Sequence, residues 1–280
     1  TLTVTVNGAT YTVTPDSNGN WSIDTGTATP TSGTLGTFVN GQSYPVTATV
    51  TDAAGNSATD TTTNELKIDT TPPATPTVIS QVTNDTTPTV KGTVNLAAGD
   101  TLAVTINGVT YTTSNGLTIT GNNWEVTLPT TADGTYAVTA TVTDSAGNTA
   151  NDTTTNELVI DTVAPAAPTV VSQTTNDTTP TVTGTVTLAA GETLAVTING
   201  TTYTTANGLT VTGGNWSVTL PTTAEGTYSV TATVTDAAGN STSDSTSSEL
   251  VIDTTAPAPT IAVNDVTLDN VLNATESVRM

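Results

Sequence analysis

The chain has 280 residues and a formal charge of −21, from 24 Asp and Glu against 3 Lys and Arg, with no His and no Cys. Such a field repels nucleic acid and anionic membrane and suits multivalent cations or basic partners; without Cys or His there is no disulfide framework, no thiolate or imidazole metal site and no usual general base. No apolar run approaches the ~18 residues of a membrane span, and any targeting segment is expected outside this piece.

One stretch, "TVTDSAGNTANDTTTNELVIDTVAP" (Thr141 to Pro165), recurs upstream as "TVTDAAGNSATDTTTNELKIDTTPP" and downstream as "TVTDAAGNSTSDSTSSELVIDTTAP". Asp52, Asp144 and Asp236 stand 92 residues apart, as do Asp69, Asp161 and Asp253. A fixed period of this length marks tandem modules. It divides the chain into a partial domain at 1–70, full domains at 71–162 and 163–254, and the start of a further one at 255–280. Low hydrophobicity with high charge can mean disorder, but strict alternation and three tryptophans in phase argue against it.

In residues 1–70, Leu2 corresponds to Leu102, so this unit lacks its opening two strands. In residues 71–162, "TPTVKGTV" turns Val90 and Val94 inward. "TLAVTINGVTYT" follows, two alternating runs joined by Asn107-Gly108, the signature of a two-residue hairpin with a type I′ turn. That turn sets Ile106 against Val109 and Val104 against Tyr111, so Leu102, Val104, Ile106, Val109 and Tyr111 share one face and the threonines take the other. "NWEVTL" supplies Trp124, Val126 and Leu128; "GTYAVTATVTD" turns Tyr136, Val138, Ala140 and Val142 inward; "NELVID" adds Leu158 and Ile160. The unit at 163–254 repeats this, and 255–280 holds a first strand and part of a loop. No segment shows a helical period.

The fold class is therefore all-β: tandem Ig-like β-sandwich domains of about seven strands each in an elongated array. Tyr44, Tyr136 and Tyr228 open the sixth strand, where a tyrosine corner would sit, and Trp21, Trp124 and Trp216 read as core.

Strand polarity places the acids. With strands named A to G, the B–C and F–G loops lie at the N-terminal pole of a unit and the A–B and E–F loops at the C-terminal pole, beside the exit linker. In 71–162 the first pole carries Asp100, Asp144 and Asn148 next to linker Asp69; the second carries Asp85 and Asp133 next to Asp161. The following junction would draw on Asp161, Asp236 and Asn240, with Glu192 and Asp85 in reach. Asp52 and Asn56 occupy the same loop of the first unit, and Asp177 and Asp253 the equivalent places of the third. Carboxylates ~5 Å apart repel by about 1–3 kcal/mol per pair at intermediate dielectric, and so few cations cannot neutralise them. Calcium can, because it takes six to eight oxygen ligands; magnesium suits less, needing a tight octahedron. D-x-A-G-N is equally a sound hairpin loop without metal, since Asp and Asn bond their own backbone and Gly supplies φ > 0. The linker Asp at the same pole favours the metal reading. Asp60, Asp152 and Asp244 read as solvated surface, and Glu65, Glu157 and Glu249 as an exposed strand face.

"TVTDAAGN" followed by "VIDTTAP", "TNDTTPTVTGTV" and the motifs "GNNW" and "GGNW" resembles the tandem bacterial Ig-like domains of large secreted adhesins, the biofilm-associated, type I-secreted kind. The resemblance covers essentially the whole chain. It implies calcium-rigidified stalks on the bacterial cell surface that hold a terminal binding domain away from the cell. Host surface, glycan or biofilm matrix would then be met through other domains of the parent. "LDNVLNATES" is similar to an acidic A–B loop of a sister type, which nominates Asp269, Asn273 and Glu276 as calcium ligands. The middle units carry "TNDTTP" instead, which implies fewer ions at their C-terminal poles. The expected function is a structural extender, with calcium setting the angle between domains. The alternative is an array of carbohydrate-binding modules using the tryptophans as sugar platforms. No nucleophile–base pair can be assembled, so no enzyme is expected.

Overall fold

The computed structural model describes residues 1–244 and 246–258, and the regular elements there are strands. The predicted calcium ligands Asp269, Asn273 and Glu276, and the opening strand of a fourth unit, lie outside the described residues. The chain divides after Thr162 into two compact units.

The first repeat holds β1 (Leu2–Val6), β2 (Ala9–Val13), β3 (Ser32–Gly33), β4 (Ser43–Tyr44), β5 (Val46–Thr51), β6 (Ser57–Thr59) and β7 (Leu66–Lys67). The second holds β8 (Thr77–Val78), β9 (Gln81–Thr83), β10 (Thr89–Thr93), β11 (Thr101–Ile106), β12 (Val109–Tyr111), β13 (Leu117–Thr120), β14 (Asn123–Thr127), β15 (Gly134–Tyr136), β16 (Val138–Thr143), β17 (Thr149–Asn151) and β18 (Leu158–Ile160). Two layers form. One is the sheet β13-β14-β10-β8; the other joins β12-β11-β16-β17 with β15-β18-β9.

The second layer is one hairpin with an interruption. Tyr136 pairs with Leu158 and Thr141 with Asn151, so residues 152–157 stand opposite only 137–140. The extra residues bulge out and leave two N–H groups of β16 without ladder partners. Side chains replace them: Val138 N–H donates to Glu157 Oε2 (3.0 Å) and Ala140 N–H to Asp152 Oδ1 (2.7 Å). This corrects the expectation of an exposed strand face. Glu157 and Glu249 are 1% exposed, because the bulge turns them inward onto an otherwise orphaned amide. Asp152 and Asp244 are half-buried for the same reason, whereas Glu65 and Asp60 stay exposed.

The hairpin register is as expected, with Val104 opposite Tyr111 and Ile106 opposite Val109; Asn107 and Gly108 take φ of 50° and 76°. Val90, Val104, Trp124, Val126, Val138, Val142, Leu158 and Ile160 are buried in one core. Tyr136 is only half-buried, because its hydroxyl reaches out to the carbonyl of Ala132 (2.8 Å), making the tyrosine corner. Val109 is exposed: it shares the inward face but sits at the turn end of an outer strand. Outward threonines pair across strands through their hydroxyls, as Thr89 with Thr127 and Thr105 with Thr110, both at 2.9 Å. Each such pair stabilises the ladder by a few tenths of a kcal/mol to about 1 kcal/mol.

The third repeat follows strand for strand: β19 (Thr169–Val170), β20 (Gln173–Thr175), β21 (Thr181–Thr185), β22 (Thr193–Ile198), β23 (Thr201–Tyr203), β24 (Leu209–Thr212), β25 (Asn215–Thr219), β26 (Gly226–Tyr228), β27 (Val230–Thr235), β28 (Ser241–Ser243) and β29 (Leu250–Ile252). Its sheets have the same order, and Trp216, Val196, Leu250 and Ile252 repeat the core. The first repeat differs. It has the sheet β3-β2-β1-β5-β6 and the pair β4-β7, with no counterpart of β8 and β10 among the described residues to close over it. Val50 is therefore 56% exposed where Val142 is fully buried, and Trp21 is 39% exposed where Trp124 is buried. The core assignment of Trp21 is corrected on that ground.

Candidate functional site

In the loop Asp144 to Asn148 the main chain closes on itself: Asp144 N–H donates to Asn148 O (3.0 Å) and Gly147 N–H to Asp144 O (3.2 Å). Gly147 has a φ of 93°, a conformation that favours glycine. Both oxygens of the Asp144 carboxylate accept bonds from its own loop. Its Oδ1 accepts the N–H groups of Ala146 (2.9 Å) and Asn148 (2.8 Å), and its Oδ2 accepts Asn148 Nδ2–H (2.8 Å). Asp52 binds Ala54 and Asn56 the same way, and Asp236 binds Ala238 and Asn240. The Asn side chain, followed by backbone N–H groups, holds all three carboxyls below their ordinary value of 3.8, because donors favour the charged form. The same construction closes "DSNGN" at Asp16 and Asn20, in a different part of the first repeat. The motif is thus a self-sufficient turn wherever it occurs.

Among the described residues, Asp69, Asp85, Asp100, Asp177, Glu192 and Asp253 also bond within their own loops. Asp85 Oδ1 accepts from Thr87 N–H (2.8 Å) and hydroxyl (2.9 Å), and Asp177 does the same with Thr179. Asp100 accepts Ala97 N–H (3.0 Å) and Glu192 accepts Ala189 N–H (2.8 Å). Asp69 and Asp253 each accept the N–H two residues on (3.0 Å). Asp161 donates its own N–H to Thr83 O (3.0 Å). Among the described residues no three acidic side chains meet in a group that could hold a metal ion.

One predicted grouping does form. Asn148 Nδ2 donates both to Asp144 Oδ2 (2.8 Å) and to the backbone oxygen of Asp69 (3.0 Å), so the loop of the second repeat grips the linker that enters it. Two hard oxygens thus converge on one amide, and the amide carries a third. Calcium takes oxygen donors, whereas the atom these two oxygens meet here is the Asn148 nitrogen, and only one of them belongs to a carboxylate.

The linkers have further partners, of which Asp133 was expected at the C-terminal pole and Asn40 and Glu225 were not singled out. Asn40 Oδ1 accepts Thr70 N–H and its Nδ2 donates to Thr71 Oγ1, both at 2.8 Å. Asp133 accepts the N–H and hydroxyl of Thr162, and Glu225 those of Thr254. The signal was available: each lies just before the strand-opening tyrosine and precedes by 29 or 30 residues the threonine it holds.

Trp124 and Trp216 are 1% exposed, and each donates its indole N–H to a backbone carbonyl, of Thr77 and Thr169, at 3.0 Å. Neither is placed to stack on a sugar.

A family model described as "Bacterial Ig-like domain" matches residues 77–162 and 168–254. A bacterial ice-binding adhesin of solved structure is 29% identical over 90% of this chain and 86% of its own, with a TM-score of 0.37. The fibronectin(III)-like modules of Clostridium thermocellum CbhA are 11% identical over 63% and 93%, with a TM-score of 0.40. Titin domains I67–I69 are 15% identical over 64% and 63%, with a TM-score of 0.38. No curated protein matches.

Proposed function

From the premise that the chain belongs to the bacterial Ig-like domain family, we propose that it is a structural extender segment of a bacterial cell-surface adhesin. The parent would be exported by type I secretion, act in adhesion or biofilm formation, and meet host surface, glycan or matrix through other domains. The observation that carries this reading is serial identity. The second and third repeats bury the same residues in the same register, down to the Trp indole bond and the buried Glu. A module whose copies agree everywhere serves reach better than one distinctive reaction, and no reaction is assigned. The sugar-binding reading has lost its two buried tryptophans as platforms.

Calcium is part of the proposal. At the linker between the first and second repeats the residues that would hold it are Asp144, Asn148 and the Asp69 carbonyl, Asn148 offering its amide oxygen in place of the NH₂ that faces them here. So few carboxylates suit the ~10⁻⁴–10⁻³ M affinity of extracellular modules, and binding would add about 1.4 kcal/mol to stability at tenfold excess over Kd. The test is calorimetric titration of the full chain with calcium, beside small-angle scattering in calcium and in chelator. Millimolar binding that weakens in Asp144→Ala is expected. An Asp144→Ala chain that titrates like the parent, or a parent that binds no calcium, removes calcium from the proposal.

A further inference from the structure

We propose that two asparagine side chains, Asn40 and Asn148, lock the linker between the first and second repeats without any metal. The linker is anchored along its length. Ile68 exchanges backbone bonds with the first repeat, its N–H to Gln42 O (2.9 Å) and its carbonyl from Gly41 N–H (2.8 Å). Asn40 of the same repeat then takes Thr70 N–H and Thr71 Oγ1 with the two ends of one amide. From the other side, Asn148 of the second repeat holds the Asp69 carbonyl. Consecutive residues of the linker are thereby tied to both neighbours.

An amide is the group this task needs. It carries two N–H donors and an acceptor, so Asn148 can close its own loop on Asp144 and still donate to the linker. A carboxylate there would have no donor and would face Asp144. Asn40 must accept from a main-chain N–H and donate to a hydroxyl at once, and reversing it would set its NH₂ against Thr70 N–H. Asn56 closes the same turn on Asp52 and is exposed, so substituting it opens such a turn while leaving the bonds of the linker between the first and second repeats in place. The clamp needs no calcium; an ion held by the same two oxygens would take the place of the Asn148 NH₂.

The chain has no cysteine, so spin labels can be placed uniquely, at Asn18→Cys and Thr118→Cys, both exposed and one in each repeat. Pulsed dipolar distances measured on the full chain in chelator should give one narrow distribution. Asn40→Ala and Asn148→Ala should each broaden it, the released population growing about fivefold per hydrogen bond lost, and the double variant should broaden it most. Asn148→Asp should behave as Asn148→Ala, because the donor is gone. Asn56→Ala, which opens an equivalent turn, should leave the distribution unchanged. Unaltered far-UV dichroism and tryptophan emission keep the comparison within folded chains. A parent already broad in chelator, a double variant as narrow as the parent, or Asn56→Ala broadening like Asn148→Ala would each overturn the clamp. Absence of calcium binding in the titration leaves it standing, so the two proposals fail separately.

Discussion

Gly92→Ala should unfold the second repeat selectively. Gly92 lies in β10 where β8 crosses the indole of Trp124: an added Cβ would sit 2.0 Å from Thr77 O and 2.5 Å from the ring. Neither obstacle is the end of a flexible side chain, so β8 must lift or the tryptophan must move. Lifting β8 loses the pairing of Gly92 with Val78 and Thr93 with Thr77, the indole bond to Thr77 O and the hydroxyl bond between Thr77 and Thr93. At about 1 kcal/mol per hydrogen bond and ~1–3 kcal/mol for an overpacked core, the cost is about 3–5 kcal/mol. For a domain of this size that lowers Tm by more than about 10 °C. The third repeat, with Gly184 against Trp216 in the same arrangement, is a control within the same molecule. Hydrogen exchange of the full chain, read by mass spectrometry, should show peptides from 71–162 losing protection while those from 163–254 keep it. A second repeat that exchanges as slowly as the third, with Tm unchanged, would refute the close-contact argument.

Two further outcomes follow from particular backbone and side-chain positions. Ser248 has a φ of 62°, where the other repeats place Asn64 and Asn156 at 63° and 61°; asparagine tolerates this region better than serine, so Ser248→Asn should stabilise the third repeat by ~0.5–1 kcal/mol in urea unfolding, and a loss would contradict the reading. The D-x-A-G-N loops should carry a pH dependence of definite sign. Asp144 has its folded value lowered from 3.8, so its contribution is fully present above 3.8 and is lost as pH falls through the lower folded value. Amide exchange at Gly147 and Asn148 should therefore accelerate in acid below about pH 4, and this acceleration should vanish in Asp144→Asn; loosening confined to alkaline pH would reverse the assignment.

Much of the fold is legible in the residue order because a strand's side chains alternate by the geometry of the chain itself. Val104, Ile106, Val138 and Val142 had their inward face settled locally, and Asn107-Gly108 set the register of the hairpin by its own φ values. The D-x-A-G-N turn is local in the same sense, which is why it forms alike at Asp52, Asp144 and Asp236. Burial and partnership across the fold are another matter. Glu157 reads as a polar residue on an alternating strand, yet a bulge aims it at an amide that only the folded hairpin leaves unpaired. Trp21 and Trp124 share a motif and differ in exposure because of which strands arrive to cover them. Asn148 meets the Asp69 carbonyl across 79 residues of chain, and Asn40 meets Thr70 across 30. Those contacts carry the candidate site. Alternation and turn chemistry act within a few residues, whereas what a side chain can donate to depends on which distant backbone the tertiary fold brings beside it.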